Sequence, residues 1–111
     1  MTKRPIIDVI IPAFNEENAV GNVVRDIPKD WVREIIVCNN GSTDQTTQKA
    51  SEAGATVVTQ PIMGYGNACL KGMEHIANKP KSEQPDIVVF LDADYSDHPE
   101  EIVDLVRPII E

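Results

Sequence analysis

The sequence predicts an α/β fold, an open parallel sheet with helices on both faces. Four short runs rich in valine and isoleucine, each four to six residues long, alternate along the chain with segments of helical spacing. The runs are nearly continuous rather than broken by polar residues, which is typical of strands buried on both faces of a parallel sheet. A length of 111 residues and an apolar content of 41% suit one such domain, residues 1–111.

Four predicted strands and four predicted helices follow one another in the order β-α-β-α-β-α-β-α. Right-handed crossovers then place the strands side by side and parallel. One residue does not fit this pattern, because Asp8 interrupts the first apolar run and would bring a carboxylate into a buried strand. The predicted strands are Ile6–Ile11, Ile35–Cys38, Ala55–Thr59 and Ile87–Leu91.

The helices are predicted from their apolar spacing and from residues that favour helix ends. Pro28 ends the first helix, Gly54 caps the second, and Pro99 lies near the first turn of the fourth. The second helix is predicted to open with Ser42-Thr43-Asp44-Gln45, a capping-box pattern. The apolar positions extend over Ala19–Ile27 in the first helix, Ala68–Ala77 in the third and Ile102–Ile110 in the fourth.

The net charge of −8 argues against a nucleic-acid-binding protein, which would present a basic surface. Residues 92–111 alone carry −6, an acid density typical of a solvated helix face or of a cation site, and we expect both. No apolar run approaches the roughly 20 residues of a membrane span, and Ile6–Ile11 is too short for a signal peptide. The sequence therefore predicts a cytoplasmic protein, with Cys38 and Cys69 as buried free thiols.

Function is expected on the loops that follow the strands, because ligands of open parallel sheets bind beyond the carboxyl ends of the strands. Asp92 and Asp94 stand two residues apart in an extended segment, so both carboxylates face one side. Oxygen ligands at this spacing suit Mg²⁺ or Mn²⁺, with a solvated turn as the alternative. The four loops are Pro12–Glu17, Asn39–Asp44, Pro61–Asn67 and Asp92–Asp97.

The other loop residues leave alternatives open. Asn40 either belongs to an Asn-Gly turn or offers an amide donor and an acceptor to a base or a ribose. Gly64-Tyr65-Gly66 precedes a helix and could bring backbone N–H groups near an anion. Phe14, Tyr65 and Tyr95 either form a stacking wall or cover the edge of the core. The glycines do not match the dinucleotide-binding fingerprint, and the sequence contains no P-loop.

Four ordered motifs resemble glycosyltransferase family 2, the nucleotide-sugar transferases of the GT-A fold. Within that family they are most similar to the dolichyl- or polyprenyl-phosphate sugar transferases. The motifs cover nearly the whole chain at family-like spacing, which makes the resemblance specific. They are Asp8–Glu17, Glu34–Asp44, Gly64–Ala68 and Asp86–Asp94.

This resemblance implies a metal-assisted transfer of a sugar from a UDP- or GDP-sugar to an acceptor, with inversion. It implies Asp92 and Asp94 as catalytic and metal-binding residues, with Asp94 the main ligand of Mg²⁺ or Mn²⁺. The acceptor it suggests is a polyprenyl phosphate at a membrane surface, to which the protein would be peripheral, and no nucleic acid takes part. The implied nucleotide-sugar-binding residues are Pro12, Ala13, Phe14, Glu16, Cys38, Asn39, Asn40, Gly64, Tyr65, Gly66, Asp92, Ala93 and Asp94.

The chain departs from the family pattern in several respects. Phe14 stands where the family usually has Tyr, and Asn39-Asn40 where it commonly has Asp-Asp, which leaves the choice of nucleotide open. Only 17 residues follow Asp94, so the resemblance implies the donor-binding half alone, with a partner chain to complete the sheet. A non-catalytic binding or interaction module of the same fold is the alternative. A nucleotidyltransferase is disfavoured because Pro12–Glu17 holds neither a glycine nor a basic residue.

Overall fold

A computed structural model of the chain describes residues 5–95 and 99–104. Four parallel strands form one sheet in the order β3-β2-β1-β4, which confirms the predicted open parallel sheet. The first strand extends two residues beyond its predicted end, because Pro12 and Ala13 still pair with Cys38 and Asn39. The strands are β1 (Ile7–Ala13), β2 (Glu34–Asn39), β3 (Thr56–Thr59) and β4 (Ile87–Phe90).

Helices cover both faces of the sheet, as predicted. On one face, Val23 and Val24 of the first helix and Ala50 of the second pack against odd-numbered residues of β1 and β2. On the other face, Ala68 and Ile76 of the third helix pack against even-numbered residues of the same strands. The helices are α1 (Val20–Asp26), α2 (Thr46–Glu52) and α3 (Tyr65–Ala77), with short 3₁₀ turns at Lys81–Glu83 and Pro99–Glu101.

Two predicted helices need comment. Residues 102–104 of the fourth are helical, and the remainder of that prediction lies outside the described residues. The predicted capping box of the second is wrong, because α2 begins at Thr46 and its N-cap residue, Gln45, makes no side-chain capping hydrogen bond. The Ser42 hydroxyl instead accepts a hydrogen bond from the backbone N–H of Asn15 (2.9 Å) in the neighbouring loop. Gly54, with a φ of +107°, follows the helix end as predicted.

The buried carboxylate of Asp8 is explained by Arg33, which lies directly before β2. Arg33 donates from Nε to Asp8 Oδ1 (3.1 Å) and from Nη2 to Asp8 Oδ2 (2.6 Å). The backbone N–H of Arg33 also donates to the carbonyl of Ile7 (2.8 Å), which fixes the guanidinium beside β1. A two-pronged ion pair of this kind satisfies a charge that is otherwise costly to bury.

The close approach of α3 to the sheet depends on Gly72. A Cβ at this position would lie 2.7 Å from a methyl group of Ile10 and 2.9 Å from the sulfur of Cys38. Cys38 is fully buried there, and burial raises the pKa of its thiol to about 12. Cys69 is half-buried rather than buried, and both cysteines are free thiols.

Two expectations concern surfaces beyond the core. Among the strands of the described residues, β4 pairs with β1 alone, so the expected partner chain at this edge stays a prediction. Within residues 5–95 and 99–104, no helix has both the length and the apolar character needed to cross a membrane.

Candidate functional site

Two adjoining cavities lie at the carboxyl edge of the sheet, where the four loops were expected to converge. The first, here called the apolar cavity, has a volume of about 270 Å³. The second, here called the acidic cavity, has a volume of about 290 Å³. Pro12, Phe14 and Tyr65 line both cavities, so the two adjoin, and together they are here called the groove.

The strand order explains why one end of the groove is apolar and the other acidic. Because β1 is flanked by β2 and β4, the loop after β1 lies in the middle and lines both cavities. The loops after β2 and β3 complete the apolar cavity, and the loop after β4 completes the acidic one. The apolar cavity is lined by Pro12, Ala13, Phe14, Asn40, Met63, Gly64, Tyr65 and Ala68, and the acidic cavity by Pro12, Phe14, Glu16, Tyr65, Asp92, Ala93 and Asp94.

Asp92 and Asp94 face the acidic cavity from an anchored segment. The intervening Ala93 is buried, whereas the residues on either side of it are exposed. Just before them, the backbone N–H of Leu91 donates to the carbonyl of Ile10 (3.1 Å), which continues the pairing of β4 with β1. Both carboxylates line one cavity, although Ala93 and Asp94 belong to a turn rather than to the predicted extended segment.

Glu16 brings a third carboxyl group to the acidic cavity. Partial burial raises its pKa, and the negative charges of Asp94 and Asp44 raise it further. A carboxyl group whose pKa is raised by neighbouring negative charges marks a place where a cation would relieve repulsion. Within the described ranges, however, no three His, Cys, Asp or Glu side chains converge closely enough to enclose a metal ion.

The carboxylates of the acidic cavity nevertheless suit a divalent cation that takes the rest of its ligands from a bound phosphate and from water. Mg²⁺ is usually bound through one or two carboxylates together with substrate phosphate oxygens and water. Asp92 and Asp94 supply carboxylate oxygens in an exposed, accessible position. These two residues therefore fit a metal that is completed by a bound diphosphate.

The loop that carries Phe14 and Glu16 is tied to the loop after β2. The backbone N–H of Glu16 donates to Thr46 Oγ1 (2.8 Å), and the N–H of Thr43 donates to Asn15 Oδ1 (2.8 Å). Asn15 has a left-handed φ of 51°, a conformation that asparagine tolerates better than most residues. The sequence did not predict these two hydrogen bonds, because the bonded residues lie 30 and 28 positions apart along the chain.

Asn40 lies between the end of β2 and a bend at Gly41, which has a φ of +84°. Its side chain makes three hydrogen bonds to the segment after β3. Nδ2 donates to the carbonyls of Gln60 and Ile62 (2.9 Å each), and Oδ1 accepts from the backbone N–H of Gly64 (2.9 Å). Both N–H donors are thus used within the protein.

Most predicted site residues line one of the two cavities, but three do not. Cys38 is fully buried beneath α3, which places its side chain away from either groove wall. Asn39 accepts a hydrogen bond from the backbone N–H of Ser42 (3.0 Å), and Gly66 lies exposed in the first turn of α3. The hydroxyl of Tyr95 donates to the carboxylate of Asp26, so this residue also lines neither cavity.

Met63 and Ala68 line the apolar cavity and were not predicted as site residues. Met63 stands directly before the Gly64-Tyr65-Gly66 motif in a loop that follows a strand. A large apolar residue in a loop that follows a strand is the sequence signal that could have indicated it.

The family of the chain follows from comparison with known proteins. The model of glycosyl transferase family 2 matches residues 8–111, and the chain therefore belongs to that family. The class of protein expected from the four motifs is thereby confirmed.

Curated relatives are similar over most of this chain. It is 32% identical over 106 residues to an uncharacterized protein of Methanocaldococcus jannaschii. It is 35% identical over 116 residues to glucosyl-3-phosphoglycerate synthase of Mycolicibacterium paratuberculosis, and 35% identical over 95 residues to 4,4'-diaponeurosporenoate glycosyltransferase of Staphylococcus aureus. These matches cover 94%, 94% and 79% of this chain. They cover only 42%, 33% and 24% of the relatives, so the chain spans less than half their length.

Solved structures of glucosyl-3-phosphoglycerate synthase from Mycobacterium tuberculosis are similar in fold. The complex with Mn²⁺, UDP and glucosyl-3-phosphoglycerate gives a TM-score of 0.78 at 32% identity, covering 96% of this chain and 40% of that one. The complex with Mg²⁺ and UDP gives 0.78 at 33% identity, with 96% and 40% covered. The expected GT-A fold is thereby confirmed.

Proposed function

We propose that this chain forms the donor-binding part of a glycosyltransferase that takes a sugar from a nucleoside diphosphate. The observation that carries the proposal is the groove of two adjoining cavities at the carboxyl edge of the sheet, apolar at one end and acidic at the other. The base occupies the apolar cavity, and the diphosphate with its metal occupies the acidic cavity. The division of the groove matches the two chemically different ends of a nucleoside diphosphate.

In the apolar cavity, aromatic side chains provide the contact surface for the base. Phe14 and Tyr65 are both exposed at the groove, where a planar ring can pack against them. Phe14 retains the ring expected at its position while lacking a hydroxyl. Met63 adds a polarisable wall that adapts to the shape of the base. Pro12 and Ala13, at the end of β1, form the floor beneath it.

In the acidic cavity, Asp92 and Asp94 hold the divalent cation together with diphosphate oxygens and water. Mg²⁺ or Mn²⁺ supplies positive charge for the leaving diphosphate as its bond to the sugar breaks. Solved relatives have been described with either ion and UDP, which supports this choice of cofactor and of nucleotide. Glu16 faces the same cavity, and Ala93 brings its backbone close to the nucleotide.

The acceptor is proposed only as a class, an oxygen nucleophile that attacks the anomeric carbon with inversion. One relative is a glucosyl-3-phosphoglycerate synthase, and this name indicates a phosphoglycerate as its acceptor. The polyprenyl phosphate suggested by the four motifs, and with it a cytoplasmic place at a membrane surface, rests on that resemblance alone. The lining of the groove supports donor binding, and the non-catalytic binding module remains the competing function.

Calorimetric titration of the chain with UDP and with GDP, each in Mn²⁺ and in EDTA, tests the proposal. The wild-type chain is expected to bind at least one nucleotide tightly only with Mn²⁺. Asp94→Asn should weaken that binding roughly tenfold or more, which corresponds to about 1.4 kcal/mol. Asp104→Asn is the matched control, because this exposed aspartate lines neither cavity. Absence of binding by a chain that unfolds cooperatively would favour an interaction module.

A further inference from the structure

We propose that Asn40 is a positioning residue that builds the base-binding wall of the groove and does not itself select the base. It acts through the segment of residues 60–64, here called the β3 segment. This inference rests on the proposed function, since it concerns the same nucleotide site. It replaces the sequence-based hypothesis that the amide of Asn40 presents a donor and an acceptor to the base.

The hydrogen bonds of the Asn40 side chain fix its orientation and its role. Its nitrogen lies 2.9 Å from the carbonyl oxygens of both Gln60 and Ile62. Its oxygen lies 2.9 Å from the backbone nitrogen of Gly64. Exchanging the amide nitrogen and oxygen would set an oxygen against two carbonyls and an N–H against an N–H, so the partners define the orientation.

The amide has little capacity left for a ligand. An asparagine side chain offers two N–H donors and one oxygen, and both donors are already used. Asn40 as a whole is 5% exposed. A base that enters the apolar cavity therefore cannot receive a hydrogen bond from this side chain unless the β3 segment is released.

The β3 segment needs polar ties because apolar packing does not hold it. Ile62 is 65% exposed and Met63 is 55% exposed, so neither side chain anchors the segment in the core. Two further side chains hydrogen-bond to the backbone of the β3 segment. Gln60 Oε1 accepts from the N–H of Ile62 (3.0 Å), and Asn67 Nδ2 donates to the carbonyl of Met63 (3.0 Å).

The same segment forms one wall of the apolar cavity and leads into α3. Met63, Gly64 and Tyr65 all line that cavity, and α3 begins at Tyr65. Gly64 has a φ of +132°, a backbone conformation that the bond to Asn40 helps to hold. Loss of the Asn40 bonds would therefore displace Met63 and Tyr65 from the base, while the acidic residues of the β4 loop keep their places.

The experiment compares Asn40→Asp with Gln60→Ala. Asn40→Asp removes both donors and sets a carboxylate against the carbonyls of Gln60 and Ile62. Gln60→Ala removes a different tie to the same segment, and Gln60 lines neither cavity. Each variant is titrated with UDP, CDP and GDP in Mn²⁺ and, separately, with Mn²⁺ and inorganic pyrophosphate. Hydrogen exchange at the amide of Gly64 reports directly on the loss of the Asn40 bond.

In each variant, the affinity for every nucleotide that the wild type binds is expected to fall by a similar factor. For Asn40→Asp this factor is roughly tenfold. Binding of Mn²⁺-pyrophosphate should stay unchanged, and exchange at Gly64 should accelerate in Asn40→Asp. A general loss of folded protein would instead weaken pyrophosphate binding as well.

Three results would overturn the inference while leaving the proposed function intact. They are an altered preference among UDP, CDP and GDP in Asn40→Asp alone, unchanged nucleotide affinity in both variants, and equal weakening of pyrophosphate binding. If the wild-type chain binds no nucleotide, the proposed function fails and this inference fails with it. If Asn40→Asp does not fold, Gln60→Ala decides between uniform weakening and no effect.

Discussion

The pairing of Asp8 with Arg33 stabilises a charge at the centre of the sheet. Asp8 has no exposed side-chain surface, whereas 33% of the Arg33 side chain is exposed. Removing one partner of such a pair leaves an uncompensated buried charge, which costs more than the pair itself contributes. The pair therefore matters mainly because breaking it would leave the buried charge of Asp8 without a partner.

Arg33→Met should lower the free energy of unfolding by about 3 kcal/mol, since Asp8 loses both of its guanidinium hydrogen bonds. Urea denaturation measures this change. Arg25→Met is the control, because Arg25 is exposed and its side chain donates to Asn22 on the same helix, and it should change stability by less than about 0.5 kcal/mol. The double variant Asp8→Val/Arg33→Met should be more stable than Arg33→Met alone; a less stable double variant would contradict this account.

A second polar cluster, around Glu34, lies at the opposite end of β2 from the groove. Burial disfavours ionisation of Glu34, but hydrogen bonds from Lys79, Thr56 and His75 outweigh it and hold the pKa of Glu34 below its ordinary value of 4.5. Lys79 Nζ lies 2.8 Å from Oε1, while Thr56 Oγ1 lies 2.9 Å from Oε2. The unfolded chain therefore takes up this proton more readily than the folded chain.

Stability should consequently fall as the pH drops below about 5 and through the lowered pKa of Glu34. Glu34→Gln should remove this part of the dependence, so that the difference in unfolding free energy from the wild type shrinks toward acid pH. Denaturation curves between pH 7 and pH 3.5 measure it. Glu74→Gln, at an exposed position, serves as the control, and an unchanged difference between wild type and Glu34→Gln across this range would be evidence against the proposed linkage.

At the scale of elements, α3 is packed onto the sheet through its one buried glycine. Gly72 brings the helix close to Ile10 and Cys38, whereas Gly66 in the same helix has no atom within 4 Å of an added Cβ. The two glycines therefore offer a matched comparison of close packing against helix propensity.

Gly72→Ala should destabilise the chain by about 2 kcal/mol, because the added methyl group forces α3 away from β1 and β2. Gly66→Ala should be neutral or stabilising by up to about 1 kcal/mol, since alanine favours a helix and meets no neighbour. Thermal or urea unfolding compares the two. Equal effects at both positions would mean that α3 does not depend on close approach at Gly72.

The elements themselves could be predicted well where apolar spacing decides them. The four strands and α3 appear within a few residues of their predicted bounds, because the local spacing of apolar residues determines these elements. The capping box failed because the Ser42 hydroxyl accepts from the backbone of Asn15, while Asp44 accepts from the backbone N–H of Thr46, where α2 begins. The partners of Asp8 and Asn40 lie 20 to 25 residues away, which no local pattern reveals.

At the scale of the whole molecule, the groove is a product of strand order. Loops from all four strands meet at one edge, and the order β3-β2-β1-β4 separates the apolar contributors from the acidic ones. Convergence of the loops could be predicted from the parallel arrangement alone. Which residues line the groove depends on side-chain direction, which is why Cys38, buried beneath α3, does not line it.

The central claim is that base, diphosphate and metal share one groove, and thermal unfolding with Mn²⁺, UDP and both together tests it most directly. Saturation at 100 times the dissociation constant adds about 2.7 kcal/mol, roughly 10 °C for a domain of this size. The account predicts that the shift with both ligands exceeds the sum of the separate shifts, and that Asp94→Asn abolishes this excess. Strictly additive shifts, or an excess that survives Asp94→Asn, would contradict it.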